Sequence, residues 1–348
     1  MTDLTSIYSP NSTAKPGENT AALFSQLPPP VKTELDIKAL RLGVAELDKQ
    51  CAFPYPKGIC SNDFKARDIE KIPAHIYQYD AIKQNKDTAT IVVIHGGGFC
   101  CELVDVHKSL LANIIARVPC HGVLPQYALA PEAKAPQAID EITTILKALL
   151  TEPEKYGVTN NLVLIGYSAG GNLAWNAILN LLHSTSKKLI DSISRLILMS
   201  PWTDVSLKTT ESGLYLKQQA MDKMCQTWTL EQMRDWYLPK GATGQEPAFS
   251  PIYRSSDEMI GMPPTTIIAG EIDRLLHDAI MATHVLHKAE IPVELVVLEG
   301  QSHNHSAHNA LRDGVFTPDI IANIIQRKPV TDMKGTDCLG IKHYDLKI

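Results

Sequence analysis

The segment Gly166-Tyr167-Ser168-Ala169-Gly170-Gly171 stands between a short apolar run, Leu162 to Ile165, and a stretch whose apolar residues Leu173, Ala174, Ala177, Ile178 and Leu181 return at helical spacing. A serine at such a strand-to-helix turn is held with its hydroxyl exposed. Its neighbours must be small because the turn brings backbone segments too close for side chains. The start of the following helix also favours negative charge at that spot. A bare Gly-x-Ser-x-Gly string would decide little, but in this setting it marks Ser168 as a candidate nucleophile.

The same alternation runs through most of the chain. Short apolar runs bounded by Gly, Pro or Asp, at Ile91 to Ile94, Gly122 to Tyr127, Leu162 to Ile165, Leu196 to Met199, Thr265 to Ala269 and Val293 to Leu298, read as strands. Helical patterns at 107–118, 135–151, 171–183, 277–290 and 316–327 fill the gaps. This is the signature of an α/β fold with a mainly parallel sheet. Pro125 lies inside the second run, so either a bulge sits there or the strand is shorter than the run. Asp63 to Ile72 and Ala74 to Tyr79 resemble a hairpin that opens the sheet, and Val31 to Leu47 reads as a helix. Residues 1 to about 30, rich in Ser, Thr, Asn and Pro, read as a flexible lead-in. Between Pro201 and Pro251 the alternation stops. Leu214, Met221, Met224, Trp228, Met233 and Trp236 suggest a helical insertion over one end of the sheet, suited to lining a pocket. After Arg327 the tail is polar and peripheral.

Composition narrows the classes of partner. With 33 Lys+Arg against 38 Asp+Glu, a net charge of -5 and no basic block, the electrostatic contribution that dominates nucleic-acid affinity is missing. No apolar run reaches the length of a membrane span, and the N-terminal residues lack a secretory pattern, so the expected location is the cytoplasm, with export by a non-cleaved route left open. Seven cysteines without a C-x-x-C pair indicate neither a disulfide framework nor a zinc knuckle.

A serine nucleophile creates an oxyanion that needs preorganised N–H donors. His95-Gly96-Gly97-Gly98-Phe99 follows an apolar run, and its glycines let bare amides approach a reacting carbonyl. Gly97, Gly98 and the Ala169 amide are the candidate donors, with His95 a loop-fixing residue. No Lys-Ser/Thr follows, so a phosphate loop is disfavoured. A base and its orienting acid should follow Ser168 in the order acid, then histidine. Gly270-Glu271-Ile272-Asp273 and Glu299-Gly300-Gln301-Ser302-His303 end two strand candidates, giving Asp273 and His303. Glu271 and Asp278 are rivals for the acid, His305 and His308 for the base. The cluster His303, His305 and His308 also admits a metal, but nothing in the sequence specifies the further ligands and carboxylates such a site wants.

Together these pieces resemble the hormone-sensitive lipase group of α/β-hydrolases, the bacterial family IV esterases. The resemblance rests on HGGGF at 95–99, YALAPE at 127–132, GYSAGGNLA at 166–174, SPWTDVS at 200–206, AGEID at 269–273 and EGQSH at 299–303. It implies an α/β-hydrolase core over 61–200 and 251–327, with a cap built from residues 1–60 and the insertion 201–250, and a C-terminal tail at 328–348. It further implies a carboxylester hydrolase acting on a small-molecule ester, with Ser168 as nucleophile, His303 as base, Asp273 as its partner, and no metal or organic cofactor. A non-catalytic small-ligand receptor, or a hydrolase of another bond such as an amide, lactone or carbohydrate acetyl ester, are the alternatives. A homodimer is left open. Three departures stand out: Tyr167 where the group usually carries an acidic residue, Asn304-His305 where Gly-Phe often follows the histidine, and Cys100-Cys101-Glu102 beside the glycine loop.

Overall fold

The computed structural model describes residues 36–80, 88–184, 187–208, 221–223, 225–303, 317–328 and 341–346. Nine strands form one sheet in the order β1-β2-β4-β3-β5-β6-β7-β8-β9. They are β1 (Lys65–Ile69), β2 (Ile72–Tyr77), β3 (Ala89–Ile94), β4 (Cys120–Pro125), β5 (Leu162–Tyr167), β6 (Ile193–Met199), β7 (Thr265–Gly270), β8 (Val293–Leu298) and β9 (Ile341–Leu346). The six strands from β4 across to β8 run parallel, while β1, β2 and β9 pair antiparallel at the two edges.

A sheet covered on both faces must bury successive side chains on opposite sides. The central strands do so. Val92, Ile94, Leu162, Leu164, Leu196 and Leu198 join one core, with helices α3 (Gln137–Thr151), α4 (Ala169–Ser184) and α6 (Leu276–Lys288). Ile91, Val93, Val163, Ile165, Ile197 and Met199 join the other, with α2 (Asp105–Ile115) and α7 (Thr317–Ile325). The expected run of parallel strands and helices is thus present, with element ends moved by up to three residues.

Three differences have physical causes. Pro125 closes β4, which begins at Cys120, so the strand ends where a ladder donor would be missing. The helix expected from Val31 is α1 (Ile37–Cys51), started by the Asp36 carboxylate, which accepts the Ala39 N–H at 2.8 Å. Residues 1–35 lie outside the described set. The polar tail contributes β9, an edge strand whose polarity hides it from hydrophobic patterning. Lys342 of β9 pairs with Glu271 at 3.2 Å and with Glu299 at 2.7 Å.

Two segments cover the C-terminal ends of the parallel strands, where open α/β sheets place ligands. One is α1. Its Arg41 Nε donates to the Cys100 carbonyl at 2.8 Å and Nη2 to the Ala130 carbonyl at 3.0 Å, while the same guanidinium grips Glu132 with two bonds. Its Asp48 accepts the N–H groups of Asp105 and Val106, so it caps α2 from outside. The other is α5 (Thr227–Tyr237), where Lys134 Nζ donates to the carbonyls of Asp235, Trp236 and Leu238. Phe99 stacks on Tyr237, with ring centroids 3.7 Å apart.

Candidate active site

Ser168 sits between β5 and α4 with a φ of 49°, a left-handed conformation that costs a non-glycine residue of order 1–3 kcal/mol and that the surroundings must enforce. They do so through backbone contact. The Ser168 N–H donates to the Met199 carbonyl at 2.9 Å, and its own carbonyl accepts from Trp202 and Gly171. A Cβ at Gly170 would lie 2.1 Å from the Ile94 carbonyl oxygen, and one at Gly166 would lie 2.6 Å from the Gly171 Cα, so only glycine permits the turn.

The three residues picked out as nucleophile, base and acid come together. His303 Nε2 lies 3.1 Å from Ser168 Oγ, and His303 Nδ1 lies 2.9 Å from Asp273 Oδ1. All three are buried, Asp273 completely. Burial works against charge on both members of the pair. For His303 the carboxylate of Asp273 outweighs it and holds the imidazole above its ordinary value. For Asp273 the imidazole, the Ser200 hydroxyl and the Leu275 N–H hold the carboxyl below its ordinary value.

The rival acids have other work. Asp278 accepts the N–H groups of Thr203 and Asp204 at 2.8 and 2.9 Å. Glu271 accepts the Gly300 N–H at 3.2 Å and pairs with Lys342. The rival bases His305 and His308 lie outside the described residues, as does Asn304. No cluster of three or more metal-binding side chains occurs among the described residues.

The glycine loop borders the same cavity. Gly97 and Gly98 adopt φ values of 101° and 59°, and the Gly97 carbonyl accepts from both Cys100 and Cys101. The amides of Gly97, Gly98 and Ala169 donate to no protein acceptor among the described residues. His95 is fully buried and stacked on Tyr127, and its Nδ1 lies 2.9 Å from the Gly96 carbonyl oxygen. Burial drives it down to about 3, so it is a neutral brace rather than a base. The Tyr127 hydroxyl, from the YALAPE segment, donates to the His95 carbonyl at 2.8 Å. Burial likewise pushes the Cys101 thiol up to about 11, which leaves it a poor source of thiolate at neutral pH. Tyr167, beside Ser168, points into the core that contains Val106 and Leu110.

The cavity holds about 250 Å³ and reaches Ser168 and His303. Leu40 and Val44 of α1 and Leu230 and Met233 of α5 line it, and a Cβ at Gly98 would meet the Met233 sulfur at 2.1 Å. The insertion was expected to line a pocket, but Arg41, Asp48 and Asp222 were not expected to hold the loops beneath. Asp222 accepts main-chain N–H groups of Arg274 and His303. The only sequence sign is a lone carboxylate between Met221 and Met224, in a stretch spaced for apolar packing.

A serine on a tight strand-to-helix turn, with an imidazole and a carboxylate on the two following strand-end loops of a parallel sheet, is the architecture of an α/β-hydrolase. A family model described as the α/β-hydrolase fold matches residues 91–307. An esterase of Acinetobacter venetianus is 30% identical over 227 residues, covering 65% of this chain and 71% of that protein. An ethyl acetate hydrolase of Pseudomonas putida is 24% identical over 250 residues, covering 72% and 76%. Among solved structures, a thermostable esterase of Pseudomonas putida superposes with a TM-score of 0.77 at 20% identity, covering 90% of this chain and 96% of that one. An esterase of Pyrobaculum calidifontis gives 0.75 at 21%, covering 88% and 97%. The chain belongs to the α/β-hydrolase fold family, in its hormone-sensitive lipase-like group.

Proposed function

We propose that the chain is a serine carboxylester hydrolase acting on esters with short or compact acyl groups. The observation that carries this reading is the continuous hydrogen-bonded line from Ser168 Oγ through His303 to Asp273. His303 Nε2 takes the hydroxyl proton as Oγ bonds to the carbonyl carbon. The amides of Gly97, Gly98 and Ala169 receive the resulting oxyanion. Asp273 holds the Nδ1–H tautomer and stabilises the imidazolium without itself being protonated. His303 then returns the proton to the departing alkoxide as the ester C–O bond breaks. Water, deprotonated by the same imidazole, attacks the acyl-serine, and the acid leaves with His303 reset and Ser168 reprotonated.

A cavity of about 250 Å³ falls below the roughly 300–1,000 Å³ of sites for drug-sized ligands, which supports small acyl groups. Residues 1–60 and 201–250 acting as a cap over the core is part of the same proposal. No helix among the described residues is long and apolar enough to cross a membrane.

Turnover of 4-nitrophenyl acetate and butyrate tests the reading. The Ser168→Ala variant is expected to lose at least about 10⁴-fold in kcat while staying folded. Equal turnover by both proteins would defeat it, and absence of turnover in the folded parent would favour a ligand receptor. The same assay across pH gives a second check. The base must be neutral, and its pKa stands above the ordinary 6.5, so the rate falls as pH drops through a value above 6.5. A rate that is flat from pH 5 to 8 would contradict the role given to His303.

A further inference from the structure

We propose that Asp222 is a positioning residue for the acid and base of the site: its carboxylate, supplied by the segment between β6 and α5, fixes the separation of the loops that carry Asp273 and His303. The proposal rests on the ester-hydrolase reading above. Asp222 is 1% exposed. Its Oδ2 accepts the main-chain N–H of Arg274 at 3.0 Å and that of His303 at 3.3 Å. One oxygen atom therefore joins the residue after the acid to the base itself. The other oxygen, Oδ1, accepts the Cys225 N–H at 3.3 Å. The Asp222 carbonyl accepts from Arg274 Nη2 at 3.2 Å, and the same buried guanidinium donates to Thr227 Oγ1 at 2.9 Å.

Near the sheet the two loops are already joined, since Ile272 donates to the Gln301 carbonyl at 2.9 Å and Gly270 packs against Gln301 with no room for a Cβ. At the outer end, where the imidazole and carboxylate meet, the bridge comes from Asp222. A buried carboxylate is costly unless its oxygens are engaged, and charged acceptors make the stronger hydrogen bonds. Spending one on the two backbones beside the reacting groups suits geometry control better than simple attachment of a cover. The insertion is then part of the catalytic centre's frame, and removing the carboxylate leaves the substrate cavity in place while the imidazole is free to drift.

The full chain carrying Asp222→Asn or Asp222→Ala tests this with 4-nitrophenyl butyrate, beside Ser168→Ala. A drift of about 1 Å predicts a roughly hundredfold fall in kcat with KM changed by less than about threefold. The far-downfield proton resonance of the His303 Nδ1–H should also move or broaden in Asp222→Asn and stay in place in Asp140→Asn, a change on the exposed side of α3. The proposal is overturned if Asp222→Asn unfolds at the parent's midpoint and keeps kcat within about threefold. Failure of both Asp222 variants to fold would assign the residue to stability alone and overturn it equally. Equal turnover by the parent and Ser168→Ala would instead bring down the ester-hydrolase reading, and this proposal with it.

Discussion

The sheet and the segments that cover it share an apolar core but differ in what is added to it. Around β3, β5 and α4 the chain is fixed by close backbone approach and two continuous apolar cores, with Gly166 and Gly170 packed where no side chain fits. Over the strand ends, α1 and α5 add to their apolar contacts, Leu230 and Tyr237 of α5 among them, a few charged groups that grip main-chain atoms: Arg41 on Cys100 and Ala130, Asp48 on Asp105 and Val106, Lys134 on the end of α5. The core is therefore intolerant of added volume and indifferent to salt. The cover depends in addition on particular hydrogen bonds. A site built at their junction combines a rigidly held Ser168 with an adjustable wall.

The largest expected effect lies on the sheet side. Gly170→Ala places a methyl group on the Ile94 and His95 carbonyl oxygens, and should cost about 3 kcal/mol or more, seen as a lower denaturation midpoint together with loss of turnover. A midpoint within error of the parent would show that the turn yields more easily than its contacts imply. On the cover, Arg41→Met should cost less, about 1–2 kcal/mol for two lost backbone acceptors, because the Glu132 ion pair is largely exposed and adds little. It should also lower kcat/KM up to about tenfold, since the Cys100 carbonyl stands behind the glycine loop. Glu132→Gln is the control and should leave both quantities near the parent. The smallest effect belongs to Lys134→Met, about 0.3–1 kcal/mol, because that exposed ammonium only complements the end of α5. If hydrogen exchange then showed α5 amides as protected as those of β5, the contrast between the two regions would fail.

The same contrast explains what could be read in advance. Parallel strands buried on both faces read as short apolar runs, and Ser168, Asp273 and His303 each lie in a segment that directly follows such a run. These signals are local, so one sequence carries them. The bond between Asp222 and His303 spans 81 positions and that between Arg41 and Cys100 spans 59, and neither leaves a periodic or compositional trace. The strand β9 escaped for a related reason: an edge strand does not need the continuous apolar run of a central one, so Lys342 sits in it without breaking any pattern. Glu271 and Asp278 could not be separated from Asp273 by spacing, because what distinguishes them is which N–H groups their oxygens meet.

Met233 leaves one more consequence. Its thioether rests on Gly98 and, with Leu40, Val44 and Leu230, forms part of the cavity wall. Met233 is unbranched, so rotation about its own side-chain bonds reshapes that wall without a swing of either helix. Ester uptake should then track the girth of the molecule more closely than the viscosity of the solvent.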